Sequence, residues 1–202
     1  MSDIANQTNR AGALLIAGIS VWAAAVAASL SGALGALGRV FMPGYAGLVA
    51  LGIAAPVAAY FAWPAVRPEV DGLGLRNLTL FHVWRVPAAL LFFYYGLRGE
   101  LPPVFWILAG SGDFLAGVFA ATLLWRDAML ERIRAIHRFG FADFIVAVST
   151  GLTFTLLNDP RMALLTTLPM ALIPLFGVGL SGASHIIALA TLARSPAHAT
   201  AR

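Results

Sequence analysis

Cysteine is absent from this 202-residue chain, and so is lysine: all 13 basic residues are arginine. Without a thiol there can be no disulfide, no thiolate metal site and no cysteine nucleophile. Charge of either sign is scarce, at 11% of residues, where a soluble domain carries roughly 25%. That is too little to clothe a water-facing surface. The sequence pI near 10.3 therefore reflects a few guanidinium groups in short breaks. No basic patch is interleaved with exposed aromatics, so nucleic acid is not an expected partner.

Apolar residues are abundant, at 60% of the chain with a mean hydropathy of +0.84. A bilayer core of about 30 Å needs roughly 20 apolar residues in a helix, and runs of that order recur at 11–38, 44–66, 78–97, 103–125, 139–157 and 163–193. The expected fold class is all-α: one polytopic transmembrane bundle over residues 1–202 with about six spans and no soluble domain. The first run is longer than the 7–15-residue core of a signal peptide and reads as a retained helix, with Ala27-Ala28-Ser29 as the competing cleavage site. The expected surroundings are the lipid bilayer.

Breaks between the runs combine Pro, Gly and charge: Gly38-Arg39 with Pro43-Gly44, Arg67 to Gly72, Arg98-Gly99-Glu100 before Pro102-Pro103, Arg126 to Arg138, and Asn158-Asp159-Pro160-Arg161. In the last of these Asp159 can cap the following helix, with Pro160 at its first position, where a missing N–H costs nothing. The run 163–193 contains Pro169 and Pro174 and reads as one long kinked helix, the alternative being a re-entrant piece plus a span. The segment 126–138 reads as a solvated, topology-setting loop that lies in the interface or extends the fourth helix, with Met129, Ile133 and Ile136 on one face and Asp127 and Glu131 at helical spacing.

Cytoplasmic loops retain positive residues. Six spans put Arg10, Arg67, Arg76, Arg126, Arg132, Arg134, Arg138, Arg194 and Arg202 on one side and Arg39, Arg98 and Arg161 on the other. That bias predicts a multi-pass protein of a bacterial inner membrane with both termini cytoplasmic. Ala24, Ala28, Gly32 and Ala36 recur every four positions in the first span, as do Gly177 and Ser181 in the last, which suits close helix packing or contact with a membrane-protein partner or a second copy.

Five ionisable residues fall inside spans, where they are expensive and become candidates for a site: His82, Arg85, Asp113, Asp143 and His185. At a 1.5 Å rise per residue, His82, Arg85, Asp143 and His185 come out about 6–12 Å from the cytoplasmic ends of their helices, and Asp113 about 15 Å deep. One polar cluster in the cytoplasmic half is therefore expected. Arg85 stays charged and needs a carboxylate, for which Asp113 and Asp143 are the intramembrane choices. The competing account is a structural ion pair that sets helix register, with the histidines as hydrogen-bonded packing residues. Asp113 ends Gly110-Ser111-Gly112-Asp113, where glycines admit another backbone or a ligand. Pro87 frees a backbone carbonyl beside His82 and Arg85.

His82-Val83-Trp84-Arg85, Leu101-Pro102-Pro103-Val104-Phe105 leading to Gly110-Ser111-Gly112-Asp113, Asp143, and Leu168-Pro169 with Ile173-Pro174 before His185 resemble an uncharacterised family of small bacterial polytopic integral membrane proteins, over about residues 81–185. The resemblance implies membrane location and no stated activity.

Three classes of function follow. A small transporter or proton-coupled carrier fits the ionisable residues at compatible depths. An accessory or assembly subunit without catalysis fits the many aromatics, Trp22, Trp63, Trp84, Trp106 and Trp125 among them. An intramembrane metal-dependent hydrolase has ligand types in His82, Asp113, Asp143 and His185 but no His-x-x-x-His or His-Glu-x-x-His pair, and a bis-His haem through His82 and His185 has no other mark of a haem pocket. No catalytic residue is assigned, and neither a metal nor any other cofactor is indicated by a motif.

Overall fold

In the computed structural model, residues 20–22, 24, 27–28, 31–33 and 38–194 are described, and side chains from Gly44 onward in the second block. Most of the expected first span, 11–38, lies outside these residues, as do both termini; of its small-residue stripe Ala24, Ala28 and Gly32 are described and Ala36 is not. All regular structure among the described residues is helical. Five stretches are long and apolar enough to cross a membrane: Gly44–Ala62, Val66–Leu97, Pro103–Leu124, Leu130–Leu156 and Ile173–Arg194.

Helix α1 covers Gly38–Ala62 and stops just ahead of Pro64, because the residue before a proline avoids the helical region. Helix α2, Val66–Leu80, corrects the expectation that Arg67 to Gly72 form a break. Pro68 sits in its first turn, where no intrahelical N–H is needed, so charge and proline together do not interrupt it. Gly74 does, with φ of 75° and ψ of 152° inside the helix, a conformation open to glycine. A single 3₁₀ segment, Phe81–Trp84, joins α2 to α3, Arg85–Leu97. Pro87 lies just beyond it and cannot donate to the preceding turn, and the chain is more tightly wound there.

Helix α4, Pro103–Ala121, begins on a proline, and α5 runs from Leu130 to Leu156. Residues 130–138 are thus neither an interfacial loop nor an extension of α4 but the first turns of α5. Ile133 and Ile136 are buried against Ala120, Leu123 and Leu192, and Arg134 between them pairs with Glu131 at 2.5 Å, whereas Met129 stays exposed. The stretch 163–193 is not one kinked helix. A 3₁₀ segment, Pro160–Thr166, is followed by a turn containing a cis Leu168–Pro169 bond. Helix then resumes as a π segment, Ile173–Val178, and α6, Gly179–Arg194. Asp159 caps the 3₁₀ segment, its carboxylate accepting from the Arg161 amide at 3.0 Å.

Helix α4 packs between α3 and α5, and α1 lies along α6. Close approach depends on small residues: a side chain on Gly110 would press on Phe92 and Phe93, and one on Gly117 would meet the backbone of Val86. The outer surface carries exposed apolar side chains such as Leu51, Leu90, Leu108, Val146 and Leu156. At the Arg-rich end, buried Tyr60 donates to Asp71 at 2.8 Å and accepts from Arg194 at 2.7 Å, so α1, α2 and α6 are tied together there.

Candidate functional site

Where α3, α4, α5 and α6 converge, the interior turns polar. Arg85 opens α3 and is only 2% exposed. Its Nε donates to Asp113 Oδ1 at 2.5 Å, its Nη2 donates to Asp143 Oδ2, and its Nη1 reaches the Gly140 carbonyl at 3.4 Å. One guanidinium thus holds carboxylates from two helices, using its planar fork of donors. Glycines make the room. A side chain on Gly112 would occupy the place of the Asp143 carboxylate, and one on Gly140 would meet the His185 ring. The Gly-Ser-Gly-Asp segment therefore admits a second carboxylate to the one it carries.

On the other side of Arg85 lie three buried imidazoles. His82 stacks on His185 with ring centres 3.9 Å apart and planes 13° apart, and both meet His137 edge-on. The polar contacts fix the tautomers by elimination. Arg85 Nη1 has only protons to offer, so His185 Nε2, 3.5 Å away, accepts. His185 then carries its proton on Nδ1 and donates it to His137 Nδ1 at 2.9 Å. His137 Nε2 donates in turn to Thr79 Oγ1 at 3.0 Å, whose hydroxyl donates to the Leu75 carbonyl at 2.7 Å. Ser184 likewise gives its proton to the Ser181 carbonyl at 3.0 Å and accepts from His82 Nε2 at 2.9 Å. His82 Nδ1 is left with no partner, the one such buried side-chain atom among the described residues.

All five residues singled out in the sequence, His82, Arg85, Asp113, Asp143 and His185, meet here. The geometry sorts them: carboxylates go to Arg85, imidazoles to one another. His137 joins them from a charged segment whose composition predicts a loop. The signal was present in Ile133, Ile136, His137, Gly140 and Phe144, which recur at helical spacing and are all buried.

A cavity of about 210 Å³ opens beside this centre. Its walls are mostly apolar, from Tyr45, Ile53, Phe92, Phe105 and Phe144, with Arg85, Asp113 and Ser181 also lining it. Trp84 also lines it and donates from Nε1 to Ser181 Oγ at 3.1 Å. The volume suits a small group of waters or one small molecule with a single polar end. The contact of Trp84 with Gly177, where no side chain would fit, shows what the small residues of the last span do: they admit the indole.

The sequence profile of a domain of unknown function, DUF8737, matches residues 42–193, a stretch that contains the whole of the site. No curated protein matches, and no solved structure matches.

Proposed function

We propose, for a chain that belongs to the DUF8737 family of unknown function, that it is a small proton-coupled carrier of a bacterial inner membrane, with Asp113 and Asp143 binding the proton. The observation that carries the reading is that one buried guanidinium faces two buried carboxylates. With both ionised, one negative charge is uncompensated in a medium that penalises it. A proton that joins and leaves the pair removes and restores that charge, and Arg85 keeps the remaining carboxylate paired in either state. The adjoining cavity would hold a small, largely apolar solute whose polar end meets Asp113 or Ser181. Six spans with cytoplasmic termini complete the reading, on the bias of arginines toward the ends of the spans on one side.

The test is proton flux into proteoliposomes holding a trapped pH dye, under an imposed pH gradient with the membrane potential clamped, with small apolar solutes bearing one polar end, such as short-chain alcohols and amides, presented in turn. The purified protein should acidify the vesicles faster than protein-free controls, and Asp143→Asn should return the rate to background. Wild-type flux at background, or a variant as fast as wild type, removes the carrier reading.

A further inference from the structure

The three imidazoles do something the carboxylate pair does not require. Thr79 and Ser184 each spend their own proton on a carbonyl of their own helix, so each can only accept from a histidine. They hold His137 and His82 as Nε2–H tautomers, which leaves both Nδ1 lone pairs open. One is taken by the His185 proton. The other, on His82, a residue with 0% exposure, meets nothing. A buried imidazole nitrogen with no partner costs free energy unless something else satisfies it.

We propose that His82, His137 and His185 form a binding site for a divalent transition-metal ion of the zinc type. One nitrogen from each of the three already lies within 4.8 Å of the others. At a metal–nitrogen distance of about 2.0–2.1 Å, tetrahedral ligands sit about 3.4 Å apart. The His137 and His185 nitrogens, now at 2.9 Å, need only part slightly, and the stacked His82 ring tilts toward the ion. Imidazole nitrogens select zinc-like ions over calcium or magnesium, which prefer oxygen. Ligating histidines generally have their other ring N–H held by an acceptor, the arrangement that Ser184 and Thr79 supply. When the ion takes His185 Nδ1, that proton moves to Nε2, and Arg85 Nη1, only loosely held there at 3.5 Å, keeps the Gly140 carbonyl instead. The excess carboxylate on the far side of Arg85 favours a cation. With three protein ligands, a fourth position stays open to water.

This inference uses residues that the proton reading leaves aside, so the two can fail separately. The full-length protein, with any affinity tag removed and after treatment with a chelator, is titrated with Co²⁺ and then Zn²⁺, following the visible cobalt absorption and counting bound metal per chain. One ion per chain with a tetrahedral cobalt spectrum is expected. His137→Gln and His82→Gln should each abolish the spectrum, and Thr79→Val and Ser184→Ala should weaken affinity roughly 10- to 100-fold. His198→Ala, at the fourth histidine of the chain, should still bind one ion as tightly as wild type, whereas Asp143→Asn, which removes the excess negative charge and disables the proposed proton site, should still bind one ion, but more weakly. Should a histidine variant fail to fold, a zinc-dependent rise in the wild-type melting temperature that Thr79→Val diminishes decides the matter. The proposal is overturned if folded wild type takes up no stoichiometric ion, or if the cobalt spectrum survives both histidine substitutions. It is equally overturned if zinc leaves the melting temperature unmoved.

Discussion

The carboxylate of Asp143 stands where a side chain on Gly112 would be. Helix α5 can deliver its acid to Arg85 only because helix α4 has nothing but hydrogen at that point. Gly112→Ala is therefore expected to push Asp143 off the guanidinium and to lower the melting temperature in detergent. Gly47→Ala, on α1 with open space around it, should leave the melting temperature unchanged or slightly raised, since alanine is the better helix former. Equal melting temperatures for the two variants would show that the Asp143 contact contributes nothing.

Removing Arg85 strands two buried carboxylates at once. Breaking a buried pair by deleting one partner costs about 3–5 kcal/mol, so Arg85→Ala should reduce folded yield sharply. Arg85→Met combined with Asp113→Asn and Asp143→Asn removes all the charge together and should recover much of the loss. A purely structural ion pair leaves that triple variant both stable and active in proton flux, whereas a proton-binding site leaves it stable and inactive. An Arg85→Ala protein as stable as wild type contradicts the energetic account.

Outside the spans, Asp159 accepts from both the backbone and the guanidinium of Arg161. The Arg161 side-chain hydrogen bond, foremost, holds the Asp159 carboxyl below its usual value. A carboxylate depressed in the folded state contributes stability above its unfolded pKa, near 3.9, and loses it as pH falls through the lower, folded value. The pair is half-buried at the protein surface, where solvent screens it, so the effect is local. Asp159→Asn should speed amide hydrogen exchange across Pro160–Thr166 at neutral pH, and wild type should show the same change only in acid. Identical exchange in the two proteins at neutral pH would remove the cap from the account.

Reporter fusions test the orientation. A fusion after Gly99, in the turn that ends α3, should read periplasmic, and one after Asp127, before α5 begins, should read cytoplasmic. The opposite pair of readings inverts the proposed topology and moves the imidazoles to the periplasmic half.

Much of this protein was legible in its sequence because the bilayer imposes a length and a composition on anything that crosses it. That constraint is local, so the runs that became Gly44–Ala62, Pro103–Leu124 and most of Val66–Leu97 could be read without knowing their neighbours. The same cost marked His82, Arg85, Asp113, Asp143 and His185 as residues that had to find partners. Which partners they found is a tertiary matter. Arg85 takes both acids because α4 and α5 approach it from two sides. His137 joins because Ile133 and Ile136 find apolar partners on α4 and α6, drawing a charged segment into the fifth helix. The separation of Pro160–Thr166 from the last span likewise depends on packing: Met162 and Leu165 are buried with Phe92 and Phe105, a contact no periodicity within residues 163–193 could announce. Sequence periodicity reports what a segment must hide. Only the neighbours decide what it is hidden against, and it is there that three histidines on separate helical stretches become one cluster.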